Sequence, residues 1–544
     1  MKSGRHGALF GPQDPGYRAE EPLNLHAVRL AAIDVGSNSV HMVVADVTRD
    51  GRIRVADRVK EMVRLGRQTF VTGALSPQAV DLAVQTVAAF HRLAQARRVE
   101  KVVAVATSAV REARNGKAFV RRLRRETGVR VGIISGEREA RLIFRAVRHA
   151  LGLETDAHLL IDIGGGSVEI TLVERGKARW LRSFPLGVAR LTERFLPNDP
   201  PRLVQVQRLE RHLQRVLGAT LKAVGKAKVV GAIGTSGTVH TMVTMACALH
   251  GREPLRLHGA IVPATDVRRV RQQILRVGAV KRADLPGIEA KRADLMPAAA
   301  ILLDFILKGA GVKNLQACSW ALREGVLLEL AGVGGAGAAS AIVIRRRSVQ
   351  ELASRFGAQQ THGEAVRRLA VRLFDALAGL LDLPRPTREL LEYAALLHDV
   401  GDAVDHDRHH QHSSYLIRNA ELLHFEPDEI ELIAQVVRAH RKQLPKANAP
   451  ELEALPVAMR PHVRRLAALL RLADALDRTH AGVVRDLRVR TTADAVAIEV
   501  VTDTDPADLE RWAAERRTDG LGRLLGRVVV LSHSATRAKV RRRR

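Results

Sequence analysis

An aspartate that runs into a turn of small residues occurs twice in this chain, and the two copies are 128 residues apart. The segments LLIDIGGGSVE and IDVGSNSV carry Asp162 and Asp34, respectively. The same spacing separates Thr107 from Thr235, each of which lies in a Thr-Ser loop after an apolar run. Apolar, β-branched residues on both sides of such a turn predict strand, turn and strand. The matched pairs therefore predict a duplicated α/β domain with one loop of each kind on each half.

The residues of these loops favour a phosphate ligand. Three successive glycines after Asp162 permit positive φ and a close approach of the backbone to a ligand, and consecutive N–H groups in such a turn form an anion-binding nest. A carboxylate would repel phosphate oxygens, so Asp162 is best explained by a divalent cation or a positioned water. The expected ligand position is the cleft between the two halves. Two ordinary hairpins with glycine turns would explain either loop alone.

Composition limits the class of protein and its partners. The chain has 544 residues, 46% hydrophobic and 27% charged, which predicts several globular domains. Its net charge of +29 attracts polyanions, although a general bias towards arginine explains the charge equally well. Aromatic residues make up only 3%, which argues against nucleic acid as a substrate. Two cysteines, Cys247 and Cys318, no membrane-spanning run and no signal peptide predict a cytoplasmic protein.

Glu139 is the candidate general base. The segment VGIISGEREA predicts a strand, a turn and a helix, with Ser135 as a suitable helix N-cap. Leu142, Ile143 and Ala146 follow at helical spacing, so Glu139 lies on the apolar face of its helix. A buried carboxylate beside a phosphate cleft suits proton abstraction, whereas a glutamate that complements the helix dipole is the alternative. Arg111, after an apolar strand, is placed to grip an oxyanion or to be an ordinary surface arginine.

Shifts in composition and periodicity predict the domain boundaries. A Gly/Ala-rich stretch at 331–338 indicates a boundary. Helical periodicity follows for more than a hundred residues, and later alternation flanks a helix that starts at Pro506. The expected parts are a disordered tail at 1–27, α/β half-domains at 28–150 and 151–330, a linker at 331–348, a helical domain at 349–482, a small α+β appendage at 483–535 and a basic tail at 536–544, which includes Arg541–Arg544.

The helical part holds many of the histidines. An adjacent pair, His398 and Asp399, has His362 upstream and Asp474 downstream. Imidazole nitrogens and carboxylate oxygens are ligands for divalent metals, so these four residues form a candidate metal site. The spacing is loose, and structural histidines near helix ends explain it as well.

Four motifs resemble those of the exopolyphosphatase / guanosine pentaphosphate phosphohydrolase family. They are IDVGSNS at 33–39, ISGEREARL at 134–142, IDIGGGSVE at 161–169 and GTSGT at 234–238, in the family's order. The resemblance spans about residues 28–482. It implies a duplicated actin-like fold of the sugar-kinase and heat-shock-protein type. The implied activity is magnesium-dependent removal of the terminal phosphate of inorganic polyphosphate, or of guanosine pentaphosphate.

The resemblance also implies roles for individual residues. Glu139 matches the base that activates water, Arg111 matches an arginine that grips the phosphoryl group, and Asp162 and Glu169 match residues that hold magnesium (or manganese) and water. The implied phosphate-binding residues are Ser37, Asn38, Gly164, Gly165, Gly166, Ser167, Gly234, Ser236, Gly237 and Thr238.

The helical part resembles the His-Asp phosphohydrolase-type domain of long family members. The resemblance implies either an additional divalent metal at His362, His398, Asp399 and Asp474, or a basic channel for a long polyanion. Guanosine penta- and tetraphosphate are the alternative ligands. The sequence is also compatible with a second enzyme centre in this domain, with a phosphotransferase and with a non-catalytic polyphosphate-binding regulator. The family analogy predicts a homodimer.

Overall fold

The computed structural model describes residues 27–48, 51–251, 256–333, 341–441, 443–446, 448–503 and 507–535. The expected tail at 1–27 except its last residue, the basic tail at 536–544, the helix start at Pro506 and the central part of the expected linker lie outside the described residues. No helix in the described ranges is long and apolar enough to cross a bilayer.

The first α/β unit is a five-stranded mixed sheet with helices. Its strand order is β3-β2-β1-β4-β5; β1, β2 and β3 form an antiparallel meander, and β4 runs parallel to β1. A helix begins after Ser76, whose Oγ accepts a hydrogen bond from Ala79 N at 3.3 Å. The elements are β1 (Val28–Val35), β2 (Ser39–Val47), β3 (Ile53–Met62), α1 (Thr69–Thr72), α2 (Pro77–Ala96), β4 (Lys101–Ala106), α3 (Ser108–Glu112), α4 (Gly116–Thr127), β5 (Val131–Ile133) and α5 (Gly136–Leu151).

The second α/β unit is a six-stranded mixed sheet with the order β10-β11-β9-β6-β7-β8. Strands β6, β7 and β8 form an antiparallel meander, and β9 runs parallel to β6. The elements are β6 (Ala157–Ile163), β7 (Val168–Glu174), β8 (Lys177–Phe184), α6 (Val188–Phe195), α7 (Leu203–Lys226), β9 (Gly231–Thr235), α8 (Ser236–Ala248), β10 (Ile261–Pro263), α9 (Ala264–Arg276), α10 (Ala279–Arg282), a 3₁₀ turn (Ala290–Arg292), α11 (Met296–Ala310), β11 (Asn314–Ala317) and α12 (Leu322–Leu330).

The two sheets share their central order and strand directions. In each sheet an antiparallel meander is joined to a parallel strand beside its first strand. Asp34 pairs with His41 across the β1–β2 hairpin, and Asp162 pairs with Glu169 across the β6–β7 hairpin. The 128-residue spacing therefore relates equivalent positions of two sheets with a similar arrangement.

The rest of the chain is helical up to a small terminal sheet of order β12-β13-β14. The elements are α13 (Ala341–Arg355), α14 (Gln360–Leu377), α15 (Thr387–Leu397), a 3₁₀ turn (Val400–Ala403), α16 (His409–Asn419), α17 (Pro427–Arg438), two more 3₁₀ turns (Pro450–Leu452 and Val457–Met459), α18 (Arg460–Ala475), β12 (Val484–Thr491), β13 (Ala495–Thr502), α19 (Asp508–Leu525) and β14 (Val528–Ala535).

Two predicted boundaries differ from the structure. Residues 341–348, expected in the linker at 331–348, form the first half of α13, because Ile344 packs against the core shared by the two α/β units. The expected separate appendage at 483–535 instead shares one hydrophobic core with the helices, to which Leu487, Ile498 and Leu521 contribute. Apolar burial across this boundary makes the terminal sheet part of the helical domain.

Candidate active site

Four carboxylates converge where the two α/β units meet. Asp34 lies near the end of β1, Asp162 near the end of β6, and Glu169 near the start of β7. Glu139 comes from the first turn of α5, where Ser135 Oγ accepts a hydrogen bond from Arg138 N at 3.1 Å. Glu139 and Glu169 are buried, at 7% and 2% exposure. The predicted burial of Glu139 on the inner face of its helix is therefore confirmed.

This crowding changes the protonation of the carboxylates. Burial, with the negative charges of Asp162 and Glu324 and against the positive charge of Arg323, raises the pKa of Asp34 to about 7. Burial and Asp162 also raise the pKa of Glu169 to about 8.

Burial also raises the pKa of Asp162. The pKa of Glu139 lies well above its usual range because it is buried and close to Glu169 and Asp34, although Arg111 opposes the shift. Like charges in a low-dielectric site resist ionisation until a cation compensates them.

Two oxygens of the cluster are buried and lack hydrogen-bond partners within the described part of the chain. They are Asp34 Oδ1 and Glu169 Oε2. The other Glu169 oxygen accepts from Ser183 Oγ at 2.7 Å, and Asp162 Oδ1 accepts from Thr235 Oγ1. Buried, unpaired carboxylate oxygens beside further carboxylates are suitable ligands for a hard divalent cation. The residues present therefore fit magnesium or manganese.

Two contacts of one guanidinium nitrogen, Nη1, fix the position of the Arg111 side chain. Its Nη1 lies 3.2 Å from Glu139 Oε2 and donates to Ile134 O at 2.9 Å. The remaining guanidinium borders an open cavity of about 460 Å³. Glu139 and Glu169 lie behind the cavity wall, since Arg111 and Ser183 contact them. The cavity wall includes Arg111, Glu112, Gly136, Ser167, Arg182 and Ser183.

The two predicted phosphate loops contact one another directly. Ser37 Oγ accepts from Ala109 N at 3.1 Å. A Cβ on Gly165 would lie 3.2 Å from the Cβ of Asn38, and one on Gly166 would lie 2.6 Å from Ser37 Oγ. Only glycine permits this approach. The expected ligand position in the cleft between the two halves stays a prediction, and the open space beside these loops is lined by Arg111 of the first half and Ser167 of the second.

The segment with Gly234, Ser236, Gly237 and Thr238, expected to bind phosphate, joins β9 directly to α8. Ser236 has a φ of 80° and donates from Oγ to Ile163 O at 3.0 Å, whereas Thr238 Oγ1 accepts from Arg292 Nη2 at 3.0 Å. A side chain on Gly237 would overlap Arg292. Gly234, expected in a phosphate cradle, lies inside β9 and pairs with β6 and β11. Its missing side chain makes room for Val239, so its role is in packing.

Sequence reasoning missed several residues of the site. Asp34 and His41 could have been found from the 128-residue spacing, which makes them the counterparts of Asp162 and Glu169. Burial, and next the charge of Arg323, lowers the pKa of His41 to about 3, so His41 stays neutral. Arg323 Nη1 lies 3.4 Å from His41 Nδ1. Arg323 and Arg292 reach the site through long-range packing, for which the local sequence holds no signal.

The four candidate metal ligands of the helical domain meet at one point. His362 Nε2 lies 3.2 Å from His398 Nε2, and Asp399 Oδ2 lies 3.3 Å from His398 Nε2. Asp474 Oδ1 lies 3.6 Å from His362 Nε2. Imidazole and carboxylate donors at these separations fit one divalent ion.

The chain is similar in sequence to known phosphatases over most of its length. A model of the Ppx/GppA phosphatase family matches residues 43–332, and a model of domain III of the same family matches residues 344–511. Exopolyphosphatase 1 of Mycobacterium tuberculosis is 34% identical over 304 residues, which are 55% of this chain and 88% of that protein. Exopolyphosphatase 1 of Mycobacterium leprae is 34% identical over 302 residues, 55% of this chain and 89% of its own.

A solved structure is similar as well. The crystal structure of an exopolyphosphatase from Cytophaga hutchinsonii superposes with a TM-score of 0.53 at 32% identity, and the match covers 56% of this chain and 99% of that one.

Proposed function

We propose, since the chain belongs to the Ppx/GppA phosphatase family and is a phosphoanhydride hydrolase, that it is a magnesium-dependent exopolyphosphatase. Its substrate would be the terminal phosphate of inorganic polyphosphate. The observation that carries this proposal is the buried carboxylate of Glu139, next to three further carboxylates and behind a cavity that Arg111 borders. A buried base beside a cation site and an open anion cavity is the arrangement that phosphoanhydride hydrolysis by water requires.

Glu139 would act as the general base. The terminal phosphoryl group enters the cavity, where N–H groups of Arg111 hold its oxygens. A water between Glu139 and phosphorus gives a proton to the Glu139 carboxylate as its oxygen bonds to phosphorus. The anhydride P–O bond breaks, and its electron pair leaves with the shortened chain. The raised pKa of Glu139 makes the carboxylate a stronger base, and the contact with Arg111 keeps it oriented.

Asp34, Asp162 and Glu169 would hold the magnesium or manganese ion. One buried oxygen of Asp34 and one of Glu169 have no hydrogen-bond partner among the described residues, and Asp162 lies opposite Glu169 in the β6–β7 hairpin. When bound, the ion neutralises charge on the phosphoryl group. Ser183 and Thr235 orient two of these carboxylates through hydrogen bonds.

The similar strand orders of the two sheets support a duplication of one α/β unit. We infer that the two α/β units are a duplicated actin-like pair, because the 128-residue spacing places Asp34 and Asp162 at matching hairpin positions. The helical domain would be of the His-Asp type, because His362, His398, Asp399 and Asp474 converge.

A basic surface supports a long substrate. A cavity of about 140 Å³ lies where the first α/β unit meets the helical domain. Four arginines line it beside two glutamates, Glu351 and Glu421, so its net charge is positive and attracts phosphates of a chain. The arginines are Arg52, Arg54, Arg347 and Arg355.

Guanosine pentaphosphate remains the second candidate substrate, because the same carboxylates and cavity suit any terminal phosphoanhydride. A polyphosphate-binding regulator without activity is the non-enzymatic alternative. The homodimer expected from the family is checked by sedimentation equilibrium.

The deciding experiment measures phosphate release from polyphosphate of defined lengths and from guanosine pentaphosphate with magnesium. We expect a higher kcat/KM on polyphosphate. Glu139→Gln should lower kcat by about 100-fold or more, the usual contribution of a general base. Glu126→Gln is the control, because Glu126 lies on α4, outside the cavity wall, and pairs with Arg122 at the surface.

Three outcomes would contradict the proposal. A higher kcat/KM on guanosine pentaphosphate would reassign the substrate. Unchanged phosphate release in Glu139→Gln would remove the base and favour the regulator. An equal loss in Glu126→Gln would show that the loss of a negative charge in general, and not the carboxylate of Glu139, carries the effect.

A further inference from the structure

Arg190 joins the two α/β units beside the open cavity that Arg111 borders. It lies on α6 of the second unit, and its Nη2 lies 2.8 and 2.7 Å from the two carboxylate oxygens of Glu112, on α3 of the first unit. Its Nε donates to Gly166 O at 3.0 Å. The side chain is largely buried, at 15% exposure. One guanidinium therefore connects the glycine turn of the second unit with a helix of the first.

The same guanidinium lies over an aromatic ring of the first unit. Its Cζ is 3.9 Å from the centre of the Phe70 ring in α1, a distance at which a cation is attracted to the face of the ring. A Cβ on Gly166 would lie 2.5 Å from Phe70 Cζ, so the ring packs directly against the glycine turn. A carboxylate, a carbonyl and a ring together fix the orientation of the planar guanidinium, which the point charge of a lysine would not reproduce.

The partner of Arg190, Glu112, forms part of the cavity wall next to Arg111. Its side chain is 40% exposed, and its Oε1 also accepts a hydrogen bond from Ser108 Oγ at 2.8 Å. A carboxylate at this position repels the oxygens of a phosphoryl group unless a positive charge compensates it. The ion pair with Arg190 supplies that compensation from outside the cavity.

The other charged groups of the wall leave the cavity positive only when its glutamates are paired. Arg111 and Arg182 are the positive groups, and Glu112 and Glu137 are the negative ones. Glu137 Oε1 lies 2.7 Å from Arg141 Nη2, so it has its own counter-charge. With both carboxylates compensated, the two arginines of the wall determine the charge that an entering anion meets.

We propose that Arg190 is a positioning residue for phosphate release. It holds and neutralises the carboxylate of Glu112, so that the cavity between Arg111 and Ser167 admits a terminal phosphoryl group. This inference rests on the proposed function and deepens it. Because Arg190 acts through Glu112 and not on the reacting atoms, it should contribute to the binding of substrate more than to the chemical step.

Steady-state phosphate release from tripolyphosphate with magnesium tests this role. Arg190→Gln leaves the charge of Glu112 without its counter-ion, so KM should rise about tenfold or more, because a nearby like charge weakens the binding of an anion. The value of kcat should fall by less than about threefold, since Glu139 keeps its contact with Arg111. A general disturbance of the fold would not separate the two constants in this way.

A second substitution at Glu112 should suppress the first. In Arg190→Gln/Glu112→Gln the uncompensated carboxylate is gone, so we expect KM to return to within about threefold of wild type. Glu112→Gln alone should change KM little, because its amide oxygen still accepts from Arg190. Arg190→Lys keeps the charge without the planar fork, so its KM should lie between those of wild type and Arg190→Gln.

Two controls separate this role from other effects of the same substitutions. Asp294→Asn breaks a different ion pair between the units, in which Asp294 Oδ2 lies 2.9 Å from Arg64 Nη1. Arg122→Gln removes one arginine of α4, as Arg190→Gln removes one of α6. Both should keep KM within about twofold of wild type. Circular dichroism checks the folding of each variant, and Arg190→Lys with and without Glu112→Gln gives the same comparison if Arg190→Gln does not fold.

Three results would overturn the role of Arg190. They are an unchanged KM in Arg190→Gln, an equal rise in KM in either control, and a double variant whose KM stays as high as that of Arg190→Gln. In each of them wild type still releases phosphate, so the proposed function stands. If wild type releases no phosphate from tripolyphosphate or from longer chains, the proposed function is wrong and the role of Arg190 falls with it.

Discussion

Asp162 connects the β6–β7 hairpin of the proposed cation site to the residues at the end of β9. It pairs with Glu169 across β6 and β7, and Thr235 Oγ1 donates to its Oδ1. Burial raises its pKa, and a nearby positive charge would favour the ionised carboxylate. A magnesium ion would supply that charge, which makes Asp162 the most direct residue on which to test the cation.

We predict that Asp162→Asn weakens magnesium dependence and turnover together. The amide retains the size of the side chain but loses the charge that attracts a cation, so half-saturation with magnesium should rise about tenfold or more and kcat should fall. Steady-state phosphate release over a magnesium titration measures both. Asp156→Asn, an exposed position at the start of the same strand segment, is the control. An unchanged magnesium response would show that Asp162 has a different function.

The elements that carry the site are held by close backbone contacts. Gly187, the N-cap of α6, lies so near Gly165 and Gly166 that a side chain there would overlap their backbone. The N–H groups of Val188 and Ala189 donate to Gly164 O and Gly165 O at 3.0 and 2.9 Å. The start of α6 thus fixes the glycine turn that follows β6.

Gly187→Ala should therefore displace this turn. Backbone atoms cannot move aside as a flexible side chain can, so we expect a loss of about 1–3 kcal/mol in the free energy of unfolding, the usual range for overpacking. Activity should fall as well. Gly379→Ala is the control, since a Cβ there meets no atom within 4 Å among the described residues. Chemical denaturation checks the stability, and equal stability of both variants would contradict the close packing.

The four-carboxylate cluster also couples stability to pH. The pKa of Asp34 is about 7 and that of Glu169 about 8 in the folded chain, against ordinary values of 3.8 and 4.5. Between the ordinary and the folded values the native state binds protons that the unfolded state has lost. In the metal-free protein, the contribution of these two groups to the free energy of unfolding should therefore be fully present below about pH 4. It should be lost as the pH rises towards 8.

Magnesium should reverse this loss, because it replaces the protons. We expect the Tm increase on adding magnesium to be larger at pH 8 than at pH 6, measured by thermal unfolding after removal of divalent ions. Asp162→Asn should reduce the increase at pH 8. An equal magnesium effect at both pH values would contradict a cation site made of these carboxylates.

The sequence predicts elements well where the signal is local. The hairpins predicted around Asp34 and Asp162 are confirmed. Helix α6 has glycine and not a polar side chain as its N-cap. Short helices with such a start lack the capping signal on which sequence reasoning depends.

Long-range packing limits the prediction of both sites. Glu139 was found because its own helix shows the apolar face, whereas Arg323 reaches Asp34 from α12, almost three hundred residues later. In the helical domain, His440 is 41 residues from Asp399, and nothing in the local pattern distinguishes it from other histidines. Only the folded arrangement shows which histidines share a carboxylate.

The whole molecule combines the carboxylate cluster between two α/β units, our proposed cation site, with a helical domain that packs against them. His424 Nε2 lies 2.8 Å from His149 O, His424 N donates to Ala150 O at 3.1 Å, and Trp320 Nε1 donates to Glu421. Arginines from both sides border the cavity at this junction. With a net charge of +29, the chain offers a long polyanion more contacts than a short one.

The salt dependence of KM should therefore increase with substrate length. Each phosphate held by an arginine releases counterions, so binding of a long chain weakens more steeply with salt. Between about 50 and 200 mM NaCl we expect KM for long polyphosphate to rise about tenfold or more, and KM for a short chain to rise much less.

The double variant Arg54→Ala/Arg355→Ala should reduce this salt slope for the long substrate and leave kcat on the short one unchanged, because both arginines border the junction cavity and lie away from Glu139. Arg121→Ala/Arg124→Ala, which removes two exposed arginines of α4, controls for the loss of net charge. If the two double variants lower the slope equally, total charge and not the junction attracts the substrate. If long and short chains have the same slope in wild type, the helical domain does not extend the binding surface.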